Sequence, residues 1–535
     1  MMKNFYPSVR GAKTPQSACL SMLVLCFFAI GLVAQPAMQW QKTYGGSNFD
    51  EAKSIAQTSD GGFIVAGRAD SNDGDVGPGS HGSHDCWILK LTEQGDISWK
   101  KVLGGSQSDL ITSIQQTSDG GYIAGGMTTS NDGDIVGFNG LQDIWVVKLN
   151  EAGDVEWNIA IGGTLTEQGF SILQTDDGSY VVAGNSSSPE IINPITTNGT
   201  NDLFIVKISP SGVILWQQTI GGTSQDFASS IKKTSDGGYI IVGSTSSNDG
   251  VVEGFHGGLY DAWVVKTNGL GEFQWQKTFG GSKNEYGADI AQTNDGGYIM
   301  TGATESSDGD LSDNYGGVDC WVLKLSNTGD IQWQKILGGS GPDGGSSLIQ
   351  TEDGGYLVWA GTSSLDGDVV GAHSPGDGWL VKLSNTGELS WQKPYGGSNP
   401  DYTNQIRKTS DGGFILAGLT YSSDGDITQN HGDADFWVIK LGPESVGVED
   451  AYSSFLEGQL EISPNPSEQF ITLNIASDAT MMHVSIADMQ GRQISRQMLQ
   501  NGGTMDISML PEGLYSVLAT TPSGIVYSNK FKKQP

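Results

Sequence analysis

Tryptophan recurs at positions 40, 99, 157, 216, 275, 333 and 391, always 58 or 59 residues apart. A period of that size, held seven times, requires one supersecondary unit per repeat, each burying its apolar face against the next copy. A Gly-Gly pair follows each tryptophan, at 45, 104, 162, 221, 280, 338 and 396. A turn signal runs in step, as Thr58-Ser-Asp-Gly-Gly62 and again from 117, 175, 234, 293, 351 and 409. The third copy alters it to Thr175-Asp-Asp-Gly-Ser179.

Each unit holds four strand candidates. Strand a ends in Gln-Thr, as in Ser54–Thr58; strand b follows the turn, as in Phe63–Gly67; strand c is a run such as Trp87–Leu91; strand d is a stretch such as Ile97–Val102. Helix formers are sparse, and 78 glycines supply the turns. Tight Gly-containing a–b and c–d connections read as hairpins. Four antiparallel strands repeated seven times predict an all-β, seven-bladed propeller over residues 38–441. The array opens with a lone strand d, Met38–Tyr44, and stops after a strand c, Phe436–Leu441. The two fragments complete one blade, which predicts a ring closed by its own first strand and free of open edges. Strand c carries six further tryptophans, at 87, 145, 263, 321, 379 and 437, with Phe204 in the seventh slot. Aromatics present in every blade predict inter-blade packing rather than ligand stacking. Trp359 alone stands outside the scheme. Cys86 and Cys320 occupy the same position of repeats one and five, too far apart in a ring to bridge, and read as small buried hydrophobes.

Antiparallel order puts the d-to-a and b-to-c connections on one face and the tight turns on the other. The loop face is acidic. The d-to-a loops carry Asp50, Asp109, Glu167, Asp226, Glu285, Asp343 and Asp401. The b-to-c loops carry Asp-Gly-Asp as Asp73/Asp75, Asp132/Asp134, Asp308/Asp310, Asp366/Asp368 and Asp424/Asp426. The fourth copy keeps only Asp249, with Val251 in the second place, and the third copy lacks the motif. Carboxylates and carbonyls on a glycine-tightened loop suit calcium. The same residues also serve turns, where Asp side chains hold backbone N–H groups. An Asp precedes every strand c, at 85, 143, 202, 261, 319, 377 and 435, including the copy without Asp-Gly-Asp, so it is expected to make a structural hydrogen bond. His81, His256, His373 and His431 share one loop slot with Asn139 and Tyr315, an exchange that a catalytic base would not tolerate. No nucleophile elbow, His-Glu-x-x-His or phosphate loop is present.

The formal net charge is −32, which sets the chain against nucleic-acid partners. Residues 1–35 read as a signal peptide: a basic stretch to Lys13, an apolar run from Ala18 to Ala34, and small residues before Gln35. No other segment could cross a membrane. Residues 442–460 form an acidic linker without periodicity, and residues 461–535 form a separate small β-sandwich. In that tail stand Ser463-Pro464-Asn465-Pro466, Asp488-Met489-Gln490-Gly491-Arg492, Leu510-Pro511-Glu512-Gly513-Leu514-Tyr515 and Lys530-Phe531-Lys532-Lys533. In order and spacing these resemble the type A sorting domain of the type IX secretion system of Bacteroidota. The resemblance implies Sec export, outer-membrane passage by the type IX machinery through this tail, tail removal, and release or surface attachment. The ring itself resembles tandem propeller repeats of secreted proteins from the same bacteria, which carry no fixed activity.

The expectation is therefore a monomeric cell-surface or extracellular binding or scaffold module, with a glycan, a protein or calcium on its acidic loop face. The alternative is a secreted polysaccharide hydrolase with paired carboxylates at the channel mouth. Near-identical blades favour binding, because catalysis needs asymmetry. The third blade, with Pro189 and Pro194, is where the sequence places a unique site.

Overall fold

A computed structural model describes residues 35–191, 200–444, 456–475, 481–488, 493–520 and 526–534. The signal-peptide reading falls outside these residues except for Gln35, as do Pro194 and most of the 442–460 linker. The chain divides into a ring unit, Val33–Ser445, and a unit containing the tail, Val446–Pro535.

In the first blade, strand a is Asp50–Gln57, strand b Phe63–Ala69, strand c Asp85–Leu91 and strand d Ile97–Leu103, hydrogen-bonded in that order. Five more antiparallel sheets repeat the same order. Strand c is apolar on both sides and fully buried, because a neighbouring blade covers each of its faces. Strands a of successive blades pack on one another, so they line the axis of the ring. Strand d lies outermost and stays half exposed, with its polar residues toward water.

The seventh sheet runs Met38–Tyr44, Asp435–Leu441, Phe414–Thr420, Asp401–Lys408. Its first strand pairs antiparallel with the chain's last strand c, from Met38 opposite Leu441 to Tyr44 opposite Phe436. The Gly442 N–H adds a bond to the Ala37 carbonyl at 2.8 Å. The predicted closure is thus present in register, and it satisfies backbone groups that an open edge would expose.

All the strand-c tryptophans are buried. Six of the seven strand-d tryptophans, all but Trp391, lie across the c–d turn of the next blade. A Cβ added to Gly95 would come within 3.0 Å of the Trp40 ring, and one added to Gly153 within 2.9 Å of Trp99. The same rings meet a strand-b aromatic at an edge, as Trp40 meets Phe63 at 5.9 Å and Trp99 meets Tyr122 at 5.7 Å. Trp359, outside the repeat pattern, packs between Tyr395 and Trp437. Cys86 and Cys320 are buried free thiols.

The tail forms seven strands around one core that includes Leu460, Ile471, Val484, Val517 and Phe531. Leu456–Ser463 serves both halves, antiparallel to Phe470–Ile475 and parallel to Val526–Lys533. The motif residues lock together. Asn465 donates from Nδ2 to the Lys530 carbonyl at 2.8 Å and accepts the Lys532 N–H on Oδ1 at 3.0 Å. The Tyr515 hydroxyl donates to the Pro511 carbonyl at 2.8 Å while its ring stacks on Phe531. Gly491 and Arg492 lie outside the described residues.

One device of the repeat is invisible to hydropathy. Strand c carries Lys90, Lys148, Lys266, Lys324, Lys382 and Lys440, all buried, with Lys207 in the same slot. Each reaches the Asp of its own a–b turn, as Lys90 reaches Asp60 at 2.8 Å and Lys440 reaches Asp411 at 2.9 Å. Most also donate to the following carbonyl, as Lys90 does to Leu91 at 3.1 Å. Burial alone would raise the Asp60 carboxyl, but hydrogen bonds from Lys90, Thr58 and Gly62 and the Lys90 charge hold it down to about 2. Removing one partner leaves a buried ammonium without its counter-ion. Asp60→Ala is expected to cost about 1–3 kcal/mol, less than a fully buried pair because Asp60 faces water. Adding Lys90→Met to that variant should restore most of the loss, as read by denaturant unfolding.

Candidate loop-face binding site

The loop face is organised by carboxylates that reach across the Gly-Gly pairs. In the first junction Asp50 is fully buried. Its Oδ2 accepts the Gly46 N–H at 2.8 Å and the Ser71 hydroxyl at 2.7 Å, and its Oδ1 accepts the Ser71 N–H at 3.2 Å. Asp109, Asp226 and Asp401 repeat the arrangement, and Glu167 holds it in the third blade. The d-to-a acids are therefore structural pins and do not line the surface.

The Asp-Gly-Asp motif braces the same glycines from the next loop. Asp73 Oδ1 accepts the Ser47 N–H at 2.7 Å, and its counterparts Asp132, Asp308, Asp366 and Asp424 accept from Ser106, Ser282, Ser340 and Ser398. The second acids close on the first glycine, Asp134 with Gly104 at 3.1 Å, Asp310 with Gly280 and Asp426 with Gly396 at 3.2 Å, Asp75 with Gly45 and Asp368 with Gly338 at 3.4 Å. Gly74 turns the loop with φ +57°, and a Cβ there would lie 2.4 Å from the Gly45 carbonyl. Among the described residues no three His, Cys, Asp or Glu side chains converge as a metal cluster. The third copy does not lack the brace after all. Glu190 accepts the Thr164 N–H where Asp73 accepts that of Ser47, and its longer side chain hid the equivalence in the sequence.

The Asp before strand c makes the structural bond expected of it. Asp85 Oδ2 accepts the His81 N–H at 2.7 Å, Asp143 that of Asn139 at 2.7 Å, and Asp319 that of Tyr315 at 2.8 Å. The slot's constant contribution is its main chain, while its side chain varies between His, Asn and Tyr; where it is histidine the ring can add a second bond, as His256 Nδ1 lies 2.9 Å from Asp261 Oδ2 and His431 Nδ1 2.7 Å from Asp435 Oδ2. The other oxygen, Oδ1 of Asp85, Asp143, Asp261, Asp319 and Asp435, is buried with no hydrogen bond among the described residues. It faces the neighbouring blade's pin. A Cβ on Gly45 would lie 2.1 Å from Asp435 Oδ1 and 2.9 Å from Asp50 Oδ2. Two acids thus close on one glycine at each junction. Burial, reinforced by the facing acid, pushes Asp50 and Asp143 up to about 6, and burial with the Glu285 charge does the same for Asp261.

Besides the first acid of each Asp-Gly-Asp loop, the face also exposes aromatic side chains, which the sequence reading missed. Tyr286 and Tyr402 occupy the second position of strand a, where the first three blades have Glu51, Leu110 and Gln168. Tyr286 contacts Tyr260, which also meets Phe227 at 5.6 Å. Tyr402 and Phe49 both flank Tyr421, and Arg68 lies 4.5 Å above the Phe49 ring. Tyr402 is 51% exposed and Tyr286 39%. Comparing the repeats column by column at strand a, rather than reading the b-to-c loops, would have found both clusters. The third blade, singled out for its prolines, contributes neither.

Residues 461–533 match the family model of the secretion system C-terminal sorting domain, so the tail is a type IX sorting domain and the protein is secreted or held at the cell surface. Over 394 residues the chain is 23% identical to the regulatory protein FlaEY of Caulobacter vibrioides, covering 66% of this chain and 41% of that one. It is 23% identical over 329 residues to a WD repeat-containing protein of Acanthamoeba polyphaga mimivirus, covering 46% of this chain and 24% of that one. The chain thus spans less than half the length of either relative. Among solved structures, Sqt1 from Chaetomium thermophilum aligns with TM-score 0.40 at 9% identity over 76% of this chain and all of its own. A duf4221 family member from Bacteroides vulgatus aligns with TM-score 0.35 at 10% identity over 77% and 98%.

The junction acids give an unusual pH dependence. A carboxyl at about 6 in the fold and about 3.9 unfolded adds stability that is complete below the lower value and lost as pH rises through the upper one. The depressed Asp60-type carboxyls act in the opposite sense, but only below about pH 4. The melting midpoint of the ring is therefore expected to fall by about 5 °C or more between pH 5 and 7.5. Asp143→Asn should lessen that fall, because an amide can donate toward Glu167 at any pH; a midpoint that rises over this range would refute the assignment.

Proposed function

We propose that the exported ring is a binding or scaffold module whose loop face docks a glycan on its two exposed tyrosine clusters. The observation that carries this reading is the position of Tyr286 and Tyr402. Each breaks the repeat at the inner strand, stays in water, and stands beside loop amides and carboxylates. A sugar ring offers C–H faces to aromatic rings and hydroxyls to polar groups, which is the chemistry on offer. The alternative, a hydrolase with paired carboxylates, could draw on the acid pairs that face each other at the blade junctions. Those side chains are buried, and burial keeps a polysaccharide from reaching them.

Calcium is the cation the Asp-Gly-Asp loops would take, at Asp73/Asp75, Asp132/Asp134, Asp308/Asp310, Asp366/Asp368 and Asp424/Asp426. Asp132, Asp308, Asp366 and Asp424 lie at the surface, and hydrogen bonds from the neighbouring serines hold them below the usual carboxylate range, so they remain anionic. The exported chain is expected to bind a subset of a glycan array. Tyr286→Ala and Tyr402→Ala should each weaken binding about tenfold, a stacking loss of roughly 1–1.5 kcal/mol. The same array in EDTA reads the part played by calcium. Sugar release from a polysaccharide panel, abolished by changing one acid pair, would reverse the preference. For the tail, truncation after Leu441 should leave the ring in the periplasm on cell fractionation.

A further inference from the structure

The second break in the repeat lies at the other end of the channel, on the tight-turn face. Strands a line the axis, and their last residues surround a cavity of about 640 Å³. At the next-to-last position of strand a, five copies place Ala, Gln, Leu or Ile. The fourth and seventh place Lys232 and Arg407, and both line the cavity. Two residues earlier stands a serine in five copies, but the fifth places Asp289 there. In a chain with 28 basic and 60 acidic residues, this gathering of cations runs against the composition.

The charges inside the channel do not balance. Asp289 is 5% exposed and accepts five hydrogen bonds: Ser230 Oγ at 2.7 Å, Lys232 Nζ at 2.8 Å, the Ile290 N–H at 3.0 Å, Ser347 Oγ at 2.8 Å and the Leu348 N–H at 3.2 Å. Its capacity is filled by blades four to six. Arg407 enters from blade seven, and its described hydrogen bond goes to the Ile406 carbonyl at 3.1 Å. One carboxylate thus faces two cations. Burial would raise Asp289, but the Lys232 and Arg407 charges hold it down at about 2. Burial draws Lys232 and Arg407 downward, and Asp289 only partly offsets this. The rim cations are already engaged, Lys233 with Asp176 and Lys408 with Glu352 at 2.6 Å. The remaining wall is mixed: Ser113, Gln115, Ser171 and Gln292 line it together with aliphatic side chains, of which Leu173 and Ile349 hold the place on strand a that Lys232 and Arg407 hold in theirs. A half-buried, unbalanced guanidinium with aliphatic side chains nearby is complementary to an anionic head on an apolar body.

We propose that this end of the channel binds a small organic anion, its carboxylate or phosphate head between Lys232 and Arg407 and its apolar part against Leu173 and Ile349. This site is independent of the glycan reading, which concerns the opposite face. Calorimetric titration of the exported chain with hexanoate, acetate and inorganic phosphate tests it. Saturable hexanoate binding at least tenfold tighter than acetate is expected, with phosphate competing for the same site. Phosphate binding without hexanoate binding would overturn the apolar half of the proposal, and no saturable binding of any probe would overturn the whole. Arg407→Gln should weaken all three probes about tenfold with an unchanged melting midpoint; unchanged affinity would refute the head-group position. Asp289→Asn, which removes the competing anion, should tighten them severalfold, and weaker binding there would count against the site. Should Arg407→Gln not fold, Ile349→Ala decides: hexanoate weakens and phosphate does not, and any other pattern rejects the pocket.

Discussion

Each blade is held to the next by a carboxyl group that reaches across a glycine. The first glycine of the Gly-Gly pair has an acid on either side, one from strand a of its following blade and one from the foot of strand c. The second has the Asp-Gly-Asp loop on it: a Cβ on Gly46 would lie 2.4 Å from Asp73 Oδ1. No side chain fits at either position, so the pair recurs in every copy. The arrangement turns the least hydrophobic part of the repeat into its joint. Apolar packing holds the blade faces together without direction. The directed bonds that fix one blade's angle to the next come from Asp50, Asp73 and their counterparts.

The ends of the chain follow from the same joint. Tyr44 leads directly into Gly45-Gly46, so the strand that closes the ring also carries the junction between the last blade and the first. Asp435 comes from the last strand c, and Asp50 from the first strand a, and both close on Gly45. Closure is thus one more instance of the blade-to-blade contact, made between residues nearly four hundred positions apart. A ring with every junction filled has no terminal repeat that needs a polar cap.

Much of the fold was legible because it is periodic. Tryptophan spacing, the Gly-Gly pairs and the complementary truncation at Met38 and Leu441 each point to one closed ring, and agreement between such signals is itself informative. The tail was legible through Asn465, Tyr515 and the closing lysines, whose mutual bonds explain why their spacing is kept. Lys90 and its counterparts were not legible, because a lysine at the end of an apolar strand reads as a solvent-facing residue. Only the fold brings it to Asp60. Glu190 was missed because an acid with one more methylene, in a Pro-containing loop without the Gly-Asp that follows elsewhere, does the work of an aspartate at the same repeat position. The exposed acids of the b-to-c loops brace the loops that carry them, a role that their recurrence in five of the seven copies fits.

This last point bears on where any specific site can lie in a repeat ring. A residue present in all seven copies is under the same local demand in each and answers to the frame. A unique ligand meets only one orientation of the ring, so its contacts must come from positions where the copies differ. Strand a is where the copies differ and yet converge on one axis. Its second position gives Tyr286 and Tyr402 on one side, and its fifth and seventh positions give Asp289, Lys232 and Arg407 on the other. The acidic exterior repels an anion approaching from solution, but within about 10 Å of the channel cations the local field decides the outcome. A strongly acidic protein can therefore select an anion, provided its cations are few, partly shielded from water and gathered at one end of the axis.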